Sequence, residues 1–183
     1  ALLTAAGFRQ HRGRWLLDAS GQAAMVGRHL GIRVPSADRR LQKTAYFAHF
    51  ENVSRPEGIE AGHPFLVMCD EGWFWLIPLD ERRTSVGLVL DADIARRLDV
   101  PANRVLRWGI ERCPTVWQRM QDATGPEINF VTADFSYACR PYAGPGYFLL
   151  GDAATFMDPI FSTGVCLAMM GAQQAAEHVI CLL

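Results

Sequence analysis

The sequence predicts an α/β fold in which an antiparallel β-sheet with helices interrupts two stretches of mixed strand and helix. Three observations predict it. Tyr147 to Leu150 is a short apolar run that passes through Gly151 and a polar loop into residues of helical spacing, Val165, Ala168, Met169, Ala172, Ala176 and Val179. Strand, glycine loop and helix in that order outline a nucleotide-cofactor site. Between Phe65 and Leu90, three apolar runs are joined by short polar connections, Asp70-Glu71-Gly72 and Asp80 to Arg83, which is the pattern of an antiparallel meander. From Asp91 to Ala123 the period turns helical.

In chain order, Gly13 to Gly21 reads as a buried strand that runs into a tight loop. A short helical turn follows over Gln22 to Leu30, then a loop over Gly31 to Asp38. Tyr46, Ala48 and Phe50 share one face of a period-two run, and the meander continues that sheet. Pro101 and Pro114 stand where first helical turns begin, so two or three short helices cover one side of the sheet. Asn129 to Arg140 reads as a strand, Pro141 to Gly146 as a tight turn, and Tyr147 to Leu150 as a buried strand. The boundaries expected from this pass are 1–43, 44–128 and 129–183.

Composition narrows the function. The chain has 183 residues, 50% of them hydrophobic and 20% charged, with a formal net charge of −1. A near-neutral chain without a segregated basic cluster gives no electrostatic footprint for nucleic acid or an anionic membrane. No apolar run approaches the ~20 residues that span a bilayer, and the start carries no basic and apolar leader pattern, so a cytoplasmic protein is expected. The cysteines, Cys69, Cys113, Cys139, Cys166 and Cys181, have no CxxC spacing, and the histidines show no HxH or HExxH. Free thiols and no metal site are the expectation. Lys43 is the only lysine among 18 basic residues, and its simplest reading is a solvated surface side chain. The chain begins at Ala1 and stops within an apolar helical pattern, as a piece of a longer protein would.

Two constellations carry chemistry. In Gly151-Asp152 to Ser162-Thr163-Gly164, a glycine at a strand end admits close backbone approach, and the carboxylate after it can accept from sugar-like hydroxyls. The Ser162-Thr163-Gly164 turn opens a helix whose first N–H groups favour an anion by roughly 0.3–1 kcal/mol. A capped helix after a loop, with a solvated Asp152, accounts equally for these residues. In Trp73-Phe74-Trp75-Leu76-Ile77-Pro78, the two tryptophans share a strand face and Phe74 points the other way. Pro78 cannot donate to a ladder, so it ends the pairing or lies at an edge. Core packing is the ordinary role of such a pair.

The first stretch resembles the second FAD-contacting motif of the para-hydroxybenzoate-hydroxylase-like flavoproteins, and Asp18-Ala19-Ser20-Gly21 resembles the companion segment of that superfamily. The pattern Trp-x-Trp-x-Ile-Pro is similar to the motif that marks its flavin-dependent halogenases. The resemblance runs from Asp18 to the final helix. It implies a glutathione-reductase-like FAD-binding fold, present in part: residues 1–43 and 129–183 within the FAD-binding domain, and 44–128 on the substrate side. Asp18, Gly21, Gly151 and Asp152 would then contact FAD, and the backbone of Thr163 and Gly164 would bind halide. Trp73, Trp75 and Pro78 would wall the flavin from the substrate.

The implied reaction is halogenation of an electron-rich aromatic, with reduced FAD and O2 giving a flavin hydroperoxide that halide converts to hypohalous acid. Reduced flavin would come from a separate reductase, since no NAD(P)H motif is present. The tryptophan-specific members carry a glutamate where Phe161 stands, which implies a phenol, a pyrrole or a substrate tethered to a carrier protein. The N-terminal GxGxxG and the segment with the family's catalytic lysine have no counterpart in the sequence, and Lys43 lies in no matching motif. Two other readings stay open: an aromatic monooxygenase or flavin reductase-type relative, and an inactive truncated segment.

Overall fold

A computed structural model describes residues 2–4, 7–9, 11–38, 41–133 and 136–182, with the backbone alone for 2–4 and 7–9. The chain runs β1 (Leu2–Thr4), β2 (Gly7–Arg9), β3 (Leu16–Asp18), α1 (Met25–His29), β4 (Arg33–Pro35), β5 (Lys43–Glu51), β6 (Phe65–Cys69), β7 (Gly72–Pro78) and β8 (Arg83–Asp91). It continues with α2 (Ala92–Arg97), α3 (Val105–Arg112), α4 (Pro114–Met120), β9 (Phe130–Ala133), β10 (Tyr137–Cys139), β11 (Ala143–Gly144), β12 (Tyr147–Leu149), β13 (Thr155–Phe156) and α5 (Gly164–Cys181). These elements form two compact units. A split unit combines residues 1–35 and 137–183, and a central unit spans 36–136.

In the central unit the five strands lie in the order β6-β7-β8-β5-β9, every neighbour antiparallel. Alternation sorts the side chains by face. Tyr46, Ala48, Phe74, Leu76, Val86, Leu88 and Leu90 join Val105, Leu106, Ile110 and Val116 of the helices in one buried core. The helix α3 comes in close because residue 109 is glycine: a Cβ there would overlap the Leu88 side chain and stand 3.1 Å from Phe74 Cζ. Pro114 occupies the first turn of α4, where its missing N–H costs nothing. Asn129 anchors the sheet to α3, since its Oδ1 accepts from Leu106 N at 3.1 Å.

In the split unit β3 and β12 run parallel, with β11 antiparallel on the outer edge of β12. A second small sheet has the order β13-β10-β4. Among the described residues no helix is long and apolar enough to cross a membrane.

Four expectations change. The expected loop after Gly31 contains β4, which pairs with β10. Leu16 and Leu17 of the expected buried strand stand 55% and 46% exposed, and only Asp18 of β3 is buried. The single strand expected over 129–140 is two: β9 pairs with β5 in the central unit, and β10 belongs to the split unit. Residues 134 and 135 between them lie outside the described residues. Lys43 is no solvated lysine, because Asp91 is its cross-strand neighbour in the β5–β8 register and the two side chains form an ion pair.

Candidate functional site

The parallel register places Asp18 beside Leu149, and Leu150 N donates to Asp18 O at 2.9 Å. Two loops therefore leave the carboxyl ends of adjacent parallel strands together, the position at which open α/β sheets take ligands. The backbone turns at a glycine in each, Gly21 at φ +62° and Gly151 at φ +54°, a region that disfavours side chains. A Cβ on Gly151 would also stand 2.9 Å from Ala168 Cβ, so α5 can approach the strand end only because both residues are small.

The two aspartates differ in their engagement. Asp18 is 5% exposed. Its Oδ1 accepts from Ser20 N at 2.9 Å and its Oδ2 from Val26 N at 2.8 Å, while Ser20 Oγ accepts from Met25 N at 2.9 Å. Burial pushes the Asp18 carboxyl up, but the Ser20 hydroxyl and the N–H groups of Val26 and Ser20 outweigh it and hold it below the ordinary aspartate range. Asp18 thus ties its own loop to the start of α1. Asp152 is half-buried, and burial alone raises its carboxyl above the ordinary value. No described group donates to that carboxylate, whereas the Asp152 backbone carbonyl accepts from the Tyr137 hydroxyl at 2.5 Å.

Gly151, Asp152, Thr163 and Gly164 line one cavity of about 540 Å³ that continues along α5 past Leu167 and Met170. Asp18 and Gly21 are not among its lining residues. At its α5 end, Ser162 turns through φ +51° and no side chain caps the helix at Thr163. Asp158 is occupied in the preceding turn, where it accepts from Ile160 N at 3.2 Å. The N–H groups that open α5 are therefore unpaired by any described side chain, which is the electrostatic arrangement that favours an anion. Among the described residues no group of three His, Cys, Asp or Glu side chains could hold a metal ion.

Trp73, Trp75 and Pro78 lie in the central unit, on β7. The two indoles are on the face away from the helix-covered core, with ring centroids 5.9 Å apart. Trp75 Nε1 donates to Ser85 Oγ at 3.0 Å, whereas Trp73 Nε1 is buried with no partner among the described residues. Pro78 is the last residue of β7. It pairs with Thr84 on one side, and β6 has already ended on the other.

A family model described as tryptophan halogenase matches residues 2–180. The chain belongs to the tryptophan halogenase family. Members of this flavin-dependent family use FAD, with halide and O2 as cosubstrates. The chain is 32% identical over 172 residues to the 1H-pyrrole-2-carbonyl-(peptidyl-carrier protein) brominase of Pseudoalteromonas luteoviolacea (strain 2ta16), covering 93% of this chain and 42% of that protein. It is 35% identical over 170 residues to the tryptophan 2-halogenase of Chondromyces crocatus, covering 90% and 32%. Among solved structures, the flavin-dependent brominase Bmp2 matches with a TM-score of 0.79 at 30% identity, over 90% of this chain and 42% of that one. The chain spans about two fifths of the length of the pyrrole-carrier brominase and about a third of the tryptophan 2-halogenase.

Sequence reasoning missed Tyr137, which holds the Asp152 turn, Ala168, which admits Gly151, and Ser85, which holds Trp75. Nothing local marks the first two. Ser85 and Trp75 could be paired only once the β7–β8 register was known.

Proposed function

We propose that the protein carrying this chain is an FAD-dependent halogenase of an electron-rich aromatic ring. The observation that supports this most is the single cavity that brings the Gly151 turn, the unpaired Asp152 carboxylate and the uncapped start of α5 onto one surface. These groups fit FAD and halide: a glycine turn leaves room for a backbone-bound ligand, a carboxylate accepts from ribityl or ribose hydroxyls, and helix N–H groups hold an anion. In this reading the partial fold is glutathione-reductase-like, and its cofactor part lies within residues 1–43 and 129–183.

FAD, when bound and reduced by a separate flavin reductase, would supply the electrons that reduce O2 to the peroxide level, from which it can oxidise halide. Gly151 and Asp152 hold its polar chain. Gly21 shapes the neighbouring loop, and Asp18 positions that loop through Ser20 and Val26. The N–H groups at Thr163 and Gly164 hold the halide. Trp73 and Trp75 form an apolar wall, ended by Pro78, that keeps the organic substrate from the cofactor. The reaction forms a carbon–halogen bond and releases the ring proton.

The residue before the Ser162-Thr163-Gly164 turn is Phe161, which offers no carboxylate base for an indole. With the pyrrole-carrier brominase as a relative, this favours a phenol or a pyrrole, free or tethered to a carrier protein. The likeness to tryptophan 2-halogenase makes free tryptophan the comparison substrate. The test is the full-length protein with FAD, a reductase, O2, bromide and either a carrier-bound pyrrole or tryptophan, read by mass spectrometry. A brominated pyrrole is expected. A hydroxylated product with no brominated species would establish a monooxygenase instead.

A further inference from the structure

The two tryptophans on β7 are not held alike, and the difference lies on the neighbouring strand. Residues paired across the sheet form one row, Leu66, Trp75, Gly87, Phe47 and Phe130, on β6, β7, β8, β5 and β9. The central position of that row has no side chain. The Trp75 indole lies down into the gap: a Cβ on Gly87 would overlap its six-membered ring. From there the ring meets Phe47, the residue on the far side of Gly87, at 6.0 Å between centroids, and Phe47 meets Phe130 at 5.6 Å. Two residues before Gly87, and so on the same face, Ser85 accepts from the indole N–H at 3.0 Å. Glycine removes the steric bar and serine fixes the in-plane rotation. Neither constraint acts on Trp73, whose register partner is Val89 and whose N–H has no partner among the described residues.

We propose that Ser85 and Gly87 are positioning residues for Trp75, forming a seat that locks its indole across the sheet in line with Phe47 and Phe130. The functional half of this inference rests on the reading of the tryptophan pair as a wall proposed above; the conformational half does not. With the indole locked, the wall keeps one shape through turnover. With it released, the ring swings out of the row and oxidant is lost before it meets the substrate.

The experiment is done on the full-length protein with S85A, S85T and G87A, each also in the W75F background. The first readout is the far-ultraviolet exciton couplet of the two indoles, taken as the difference from W75F so that other tryptophans cancel. The second is halogenated product formed per O2 consumed. S85A and G87A are expected to weaken the couplet, and S85T to retain it. S85A is expected to lower product per O2 by about fivefold, the weight of one neutral hydrogen bond, without raising KM, and to have no effect when Trp75 is already phenylalanine. Should G87A fail to fold, the S85A and S85T pair decides the matter alone. A couplet unchanged by S85A overturns the seat. A couplet that falls while product per O2 does not overturns the functional half, and with it the reading of Trp75 as a wall.

Discussion

The central unit is built on a large apolar core, and the split unit on a much smaller one. In the first, Phe74, Val86, Leu88 and Leu90 on the strands and Val116 on α4 are all under 2% exposed. In the second, the buried cluster is Ala24, Tyr137, Cys139, Leu149 and Ala154, mostly small side chains. Its longest helix, α5, buries only Ala175 and leaves Val165, Met169 and Ile180 between 69% and 74% exposed. The central sheet is therefore held by packing, whereas the split unit is held by backbone pairing, by the Asp18 hydrogen bonds and by close contacts between small residues. A candidate cofactor site built the second way suits a ligand that completes its surroundings on binding.

The contrast is open to attack where the effect is largest. Truncating Phe74 or Leu88 to alanine is expected to cost about 3–5 kcal/mol in urea unfolding, through lost burial and a residual cavity. Met169→Ala on α5 is expected to change stability by less than about 0.5 kcal/mol. Similar losses at both places would erase the distinction.

Next in size is Asp18→Ala, which removes the acceptor for two backbone N–H groups. About 1–2 kcal/mol of local stability is expected to go, seen as faster hydrogen exchange at Ser20 and Val26. The sign of its pH dependence follows from a folded-state value below the unfolded one. The stabilisation is present above the ordinary aspartate range and is lost as pH falls through the lower, folded value. Exchange protection at Val26 that vanished well above the ordinary range would contradict it.

The smallest stability effect, and the sharpest contrast, is at Asp152. Burial raises its carboxyl, so its charged form opposes folding, and stability rises as pH falls through that raised value. Asp152→Asn is expected to leave the fold as stable or slightly more so by thermal melting, while weakening FAD binding in the full-length protein. Destabilisation would assign Asp152 to the structure instead of the ligand.

Much of the central unit was legible because a strand packed on one face declares itself by alternation, as Tyr46, Ala48 and Phe50 do on β5. The helices followed from the change of period and from the prolines. What escaped depends on distant partners. Arg33-Val34-Pro35 is a strand only because Tyr137 to Cys139 lies beside it. The apolar character of 129–140 continues across the passage between units, so nothing local divides it. Lys43 is paired because the β5–β8 register sets Asp91 opposite. At the candidate site, Gly151 and Asp152 could be chosen from residue type and spacing, and Gly21 from the family resemblance of its segment. That Asp18 turns both oxygens inward, while Asp152 keeps its carboxylate unpaired, depends on the three-dimensional course of the loops.

In the proposed function the cofactor belongs to the split unit and the aromatic wall to the central one. Equilibrium FAD titration of the full-length protein tests it most directly, comparing Gly151→Val and Asp152→Asn with Trp75→Phe. The first two are expected to weaken FAD binding, about tenfold or more for the valine, a loss of about 1.4 kcal/mol, while Trp75→Phe leaves FAD affinity unchanged. Full affinity in Gly151→Val, together with lost affinity in Trp75→Phe, would contradict the account.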